Sequence, residues 1–167
     1  MNDPRYIRQT TLPQVGNEGQ EKLKNARVLV VGAGGLGNAL LPYLASSGIG
    51  TIGIIDGDTV ALSNLHRQVL FCEADIGKLK VDVAVSYLKK RYKNLKIQAY
   101  PYFLSSQNAV DLIATYDLVV DATDERGVRY LLDDYCFKLE KPWVHASIYR
   151  FQFQVATFNV NGSGTYR

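Results

Sequence analysis

The sequence predicts an α/β fold, a mostly parallel sheet with helices on both faces. Three observations carry that expectation. Apolar runs such as VLVV (28–31) and DLVVDA (117–122) are continuous rather than alternating, as expected of strands buried on both faces. Stretches of helical periodicity lie between them, the pattern of strand–helix–strand units. The first strand also runs into GAGGLG, which sets Gly32, Gly34 and Gly37 at the spacing of a dinucleotide-type phosphate turn, and the second strand (51–55) ends on Asp56. An acidic residue roughly 20 positions past the glycines completes the Rossmann-like fingerprint. Gly32 permits the tight turn, Gly34 lets the backbone approach a phosphate, and Gly37 lets the helix pack closely on the strand. The N-terminus of that helix offers free N–H groups and a positive dipole end to an anion. The unit predicts a nucleotide without saying which one; bare of a ligand, the same glycines would be a plain turn.

Length and composition set the bounds. The chain of 167 residues is one domain by size, read as an N-terminal arm and helix (1–26) followed by a nucleotide-binding domain (27–167). Its net charge of +3 is mild and its basic residues are scattered, which argues for a local anion site and against a nucleic-acid stripe. Neither a signal-peptide pattern nor an apolar run long enough for a bilayer is visible, so no membrane partner is expected. Cys72 and Cys136 lie far apart and form no CxxC, as expected of reduced thiols in a cytoplasmic protein. The triplet Asn161-Gly162-Ser163 fits a glycosylation acceptor but, without a secretory signal, reads as a turn.

Taken in order, the arm to Pro13 has little apolar periodicity and carries Arg5, Tyr6 and Arg8. A helix over 14–26, with Val15 and Leu23 as apolar anchors, leads into the first strand. The next helix begins near Gly35, with Leu36, Leu40 or Leu41, and Leu44 at helical spacing and Gly48 as its stop. Pro42 falls inside that pattern, where a kink is expected. The polar connection after Asp56 leaves the carboxyl end of a strand, the edge where open parallel sheets bind ligands. It carries Asp58, Asn64, His66, Arg67 and Gln68. Asn64, Arg67 and Gln68 suit phosphates and bases, whereas His66 reads as a plain polar residue.

A helix over 77–92 shows an apolar stripe of Val81, Val85, Leu88 and Tyr92. Lys78 and Lys80 in its first turn oppose the helix dipole, and a phosphate held nearby would offset that; a solvated helix face is the alternative. A third strand spans 95–102, and Ser105 or Ser106 is expected to cap a short helix through Val110 and Ile113. The fourth strand, 117–122, brings Asp124 to the sheet edge that holds the glycine turn, where a carboxylate can hold Mg²⁺ beside a triphosphate or cap the next helix. That helix carries Val128, Leu132, Cys136 and Leu139 on one face, with Cys136 as a core residue. A fifth strand covers 142–147, with His145 expected to be packing. An additional strand, the antiparallel extension at the C-terminal end, covers 150–160, with Phe151, Phe153, Val155 and Thr157 on one face and Gln152, Gln154 and Phe158 on the other. A turn over 162–164 follows, and the domain reads as incomplete at its C-terminus.

These pieces together resemble the ThiF/MoeB/HesA family, bacterial relatives of ubiquitin-activating enzymes. The resemblance runs over essentially the whole chain, through RYIRQ, GAGGLG, DGDTVALSNLHRQ, the lysine-bearing helix and DATDE. SNLHRQ with GxGGLG and the following TD is more specific than any one part. The family resemblance implies ATP·Mg²⁺ and adenylation of the C-terminal glycine carboxylate of a ubiquitin-like sulfur-carrier protein (ThiS- or MoaD-like). Thiamine, molybdopterin and related sulfur pathways are the implied settings. It implies that Gly35 and its glycine neighbours line the nucleotide, that Asp56, with Asp58 beside it, holds the ribose, and that Asn64, Arg67 and Lys80 contact the phosphates. Asp124 would take the metal, and Arg8 would reach into the partner subunit's site, which implies a homodimer. Thr165 stands where the family's zinc-binding CxxC pair would begin, so zinc is doubtful. Two other readings remain: an NAD-dependent oxidoreductase, which the stretch from Gly32 to Asp56 would serve equally well, and a non-catalytic binding module of the same family.

Overall fold

Side-chain alternation within the central strands decides how the layers stack. The computed structural model describes residues 3–160 and 162–167; Asn161, the first residue of the glycosylation-type triplet, and the first two residues of the arm lie outside them. The elements run α1 (Ile7–Thr10), α2 (Gly16–Asn25), β1 (Arg27–Val31), α3 (Gly35–Ser46), β2 (Thr51–Ile55) and α4 (Lys80–Arg91). They continue with β3 (Lys96–Tyr100), α5 (Ala109–Ala114), β4 (Leu118–Asp121), α6 (Arg126–Lys138), β5 (Trp143–Tyr149) and β6 (Gln152–Phe158). On β1, Val28 and Val30 pack with Leu41 and Ala45 of α3 and Val81, Ala84 and Leu88 of α4. Leu29 and Val31 point the other way, into a second cluster with Ile113 of α5 and Leu132 and Cys136 of α6. A strand buried on both faces therefore has no polar position, which is why its sequence does not alternate.

The sheet order is β3-β2-β1-β4-β5-β6. All neighbours are parallel except β5 and β6, which pair antiparallel from Trp143↔Phe158 to Tyr149↔Gln152. The chain winds outward from β1 to β3, then returns to the other side of β1 and winds outward again through β4. That reversal between β1 and β4 opens a crevice beyond the carboxyl ends of the strands.

Several boundaries differ from the sequence expectation, each for a local reason. The helix expected from residue 77 begins at Lys80, because Gly77 takes a positive φ of 85° and Val60 accepts its N–H, holding 77–79 against the 58–60 segment. Neither Ser105 nor Ser106 caps α5: Asn108 occupies that place, and its side chain is committed to Ser105 N and the Phe103 carbonyl. The outer strand starts at Gln152, not 150, because Arg150, at φ 56°, forms the tight turn of the β5–β6 hairpin. Pro42 is accommodated inside one continuous helix. The arm is pinned rather than loose. Gln9 Nε2 donates to Gln20 Oε1 and to the Ser47 carbonyl, both at 3.1 Å, and Gly48 turns beneath Tyr6 with φ 92°.

Two predictions follow from the packing. A methyl group at Gly37 would run into the Gly32 carbonyl, which is backbone and cannot swing aside. Gly37→Ala is therefore expected to destabilise the fold by about 1–3 kcal/mol, read from urea unfolding. Burial pushes the Cys136 thiol up to about 12, so it stays protonated and shielded at pH 8, while Cys72 is exposed. A thiol-specific chromogenic reagent at pH 8 should titrate one cysteine in the native chain and two in denaturant.

Candidate functional site

The crevice at the strand reversal is a cavity of about 970 Å³, at the upper end of what small-molecule sites occupy. Its floor is the turn after β1. Gly32 adopts φ 100°, and a Cβ there would lie 2.7 Å from the Ala122 carbonyl, so glycine is required for β1 and β4 to end side by side. Gly34 faces open space, its nearest neighbour Gln68 Nε2 being 3.9 Å from where a Cβ would stand. The first turn of α3 then presents its free N–H groups to the cavity.

Asp56, at the end of β2, is only 8 % exposed. Its Oδ2 accepts from Ala33 N at 2.7 Å and its Oδ1 from Asp58 N at 2.8 Å. One carboxylate thus holds the glycine turn and the start of the following loop, and each oxygen keeps a lone pair for a further donor. Asp58 itself is half exposed and pairs with Lys80, whose Nζ is 2.7 Å from Asp58 Oδ2 and nearly buried. Of the two candidate lysines the structure brings Lys80 to the cavity. Lys78 turns away to Asp75, and that hydrogen bond, with help from Cys72, holds the Asp75 carboxyl down at about 2.

The loop 58–79 is anchored by Asn38, fully buried in α3, which donates to the Ala33 carbonyl and accepts from Leu70 N at 2.7 Å. This places Asn64, Arg67 and Gln68 in the cavity wall, with the Arg67 stem resting over Gly35. Gln68 is 2 % exposed and its Oε1 has no hydrogen-bond partner among the described residues. His66 is exposed and does not line the cavity, in keeping with its plain reading.

Across the crevice, Asp124 emerges after β4, exposed and lining the cavity. Its alternative role as a helix cap falls away, because Glu125 occupies the cap position of α6. Among the described residues no cluster of three or more His, Cys, Asp or Glu side chains could hold a metal by itself. Arg8 is exposed on the arm and does not line the cavity of its own chain.

His145 packs as expected, 2 % exposed against the rings of Trp143 and Tyr166. It also has a role the sequence did not suggest, bonding through Nδ1 to Asp121 Oδ2 at 2.8 Å. Asp121, wholly buried at the end of β4, also accepts from the N–H and the hydroxyl of Thr123, and Arg129 Nε lies 3.6 Å from it. Asp121 and Arg129 carried no functional reading in the sequence. The one available signal was the carboxylate closing an apolar strand in DLVVDA.

Comparison with known proteins identifies the family. The ThiF family model matches residues 6–167. The chain is 50 % identical over 155 residues to a sulfur carrier protein adenylyltransferase of Thermus thermophilus, covering 93 % of this chain and 57 % of that protein. It is 44 % identical over 163 residues to a probable molybdopterin-synthase adenylyltransferase of Porphyra purpurea, covering 98 % and 43 % respectively. The chain thus spans about half the length of these curated relatives. Among solved structures it superimposes on Escherichia coli MccB with ATP at a TM-score of 0.84 and 33 % identity, over 99 % of this chain and 52 % of that one. With the ThiF family model matching residues 6–167, nearly its whole length, the chain belongs to the ThiF family.

Proposed function

We propose that this chain is the nucleotide-binding part of an enzyme that adenylates the C-terminal glycine carboxylate of a ubiquitin-like sulfur-carrier protein, ThiS- or MoaD-like, releasing pyrophosphate. The observation that carries the proposal is the set of groups facing one cavity: the open Gly34 turn, Arg67, Lys80 and Asn64 on one side, and Asp124 on the other. Attack of a carboxylate on an α-phosphate brings anions together, so the protein's task is to neutralise charge and hold the atoms in line. No side-chain nucleophile is needed for that. Asp56 suits the ribose hydroxyls, and the α3 N-terminus, Arg67 and Lys80 suit the phosphates. Lys80 is already held by Asp58 and reaches its position without reorganising. A divalent ion beside a triphosphate takes only one or two protein carboxylates, the rest of its shell being water and phosphate oxygen; the free carboxylate of Asp124 therefore fits Mg²⁺, which would screen the phosphate charge. The names of the relatives support a sulfur carrier as acceptor and ATP as donor.

The exposure of Arg8, away from its own cavity, supports a homodimer in which this arginine serves the partner's site. A surface for a second copy is available on the β5–β6 hairpin, where Ile148, Phe153 and Val155 are all more than 60 % exposed on one face. A cytoplasmic setting suits both the reading and the described helices, none of which is long and apolar enough to cross a membrane.

Calorimetric titration with ATP and Mg²⁺, beside one with NAD, tests the reading. ATP is expected to bind and NAD not to; binding of NAD alone overturns it. ATP binding with no carrier-dependent pyrophosphate release by the full-length protein would mark a binding module instead. Asp124→Ala should weaken binding in Mg²⁺ more than in its absence, and Arg67→Ala should abolish carrier adenylation with the melting temperature unchanged. Gly34→Ala separates ligand from fold: with open space around it, the variant should keep its unfolding midpoint and lose affinity for ATP by about tenfold or more. For the dimer, mixing Arg8→Ala and Arg67→Ala chains should restore adenylation that neither shows alone, through sites with one intact set of residues.

A further inference from the structure

Arg129 is a cation for which the site described so far has no use. Its side chain is only 12 % exposed, yet it lines the cavity from the second turn of α6. None of its nitrogens has a hydrogen-bond acceptor among the described residues, and its buried Nε is wholly without one. Its ion pair with Asp121 is too long, at 3.6 Å, to be a hydrogen bond. A buried, unpartnered Nε is costly and is rarely left so without a reason, and the terminal nitrogens of a guanidinium that lines the cavity are free to bind a ligand there. Lys80 already bonds Asp58, and Arg67 is solvent-exposed and donates to the Ser63 carbonyl. Arg129 stands apart from both, on the side of the cavity where Ser147, Gln152 and Gln154 of the hairpin form the wall.

The group behind Arg129 explains why it stays there. Asp121 is fully buried and its Oδ2 is shared between Arg129 and His145. An ionised carboxylate can only accept, so His145 Nδ1 donates to it. Register pairs Asp121 with His145 across β4 and β5, so the imidazole braces the carboxylate from the neighbouring strand. The other oxygen of Asp121 ties down Thr123, next to Asp124. A planar fork held from behind matches the geometry of a carboxylate or phosphate.

We propose that Arg129 is a substrate-binding residue that receives an oxyanion at the hairpin end of the cavity, and that Asp121 and His145 are the positioning residues that hold it. The oxyanion is the carboxylate of the acceptor or the phosphate it attacks. The proposal rests on the adenylation reading and adds to it a group on the acceptor's side of the reaction.

The test uses the chain loaded with a non-hydrolysable ATP analogue and titrated with a peptide ending in Gly-Gly, as the free acid and as the C-terminal amide. Wild type should prefer the acid by about tenfold. Arg129→Gln should lose that preference while binding the amide and the analogue as before, which assigns the fork to the carboxylate. A weaker grip on the analogue with the acid preference intact assigns it to phosphate instead. His145→Asn, which can still donate to Asp121, should keep the preference, and His145→Phe should lose it at an unchanged analogue affinity. Should Arg129→Gln fail to fold, Arg129→Lys keeps charge and length without the fork and is read in its place. Affinities equal to wild type for acid, amide and analogue overturn the proposal, as does a wild-type chain that binds the analogue without preferring the acid. A wild-type chain that binds no nucleotide overturns the adenylation reading, and the proposal with it.

Discussion

The close approach of Gly32 to Ala122 is the constraint on which the rest of the site depends. Only a residue without a Cβ can hold φ 100° while lying against a neighbouring carbonyl. That contact lets β1 and β4 end side by side at the point where the chain reverses direction across the sheet. Gly37 answers it from the next helix, since its Cα sits over the Gly32 carbonyl. The helix N-terminus is thereby brought down onto the crevice. Were the turn a residue longer or bulkier, α3 would stand off the sheet and its free N–H groups would face water.

Two buried carboxylates then frame the opening in the same way. Asp56 at the end of β2 accepts backbone N–H groups from the glycine turn and from the loop that follows it, and Asp121 at the end of β4 accepts one from the loop that follows. Each spends its charge on holding the protein's own backbone, and each has a cation nearby: Lys80 through Asp58 on one side, Arg129 on the other. The cations are thus placed by hydrogen-bonded carboxylates before any ligand arrives. Electrostatic sites gain most from such placement, because little reorganisation is left for the moment of binding.

Legibility in the sequence followed the range of the interactions. The strand runs, the glycine turn and Asp56 rest on local geometry, and they could be read from spacing. Lys78 and Lys80 were indistinguishable there, because the choice depends on Gly77 and on the pairing of Thr59 with Leu79, which start the helix at Lys80. His145 was read as packing alone for a similar reason. Nothing near it in the chain is acidic, and its partner lies 24 residues away on the neighbouring strand.

The sequence by itself determined the layers, the parallel sheet and the position of the glycine turn, because these rest on side-chain periodicity and on the backbone freedom of glycine. Tertiary structure alone decided which charged groups meet. Strand register set Asp121 beside His145, and α6 brought Arg129 to Asp121. The Asn38 bridge to Leu70 decided that the loop bearing Arg67 folds back over the glycines. Ion pairs and buried hydrogen bonds need only short distances in space, and a linear chain records no such distance between residues that are far apart along it.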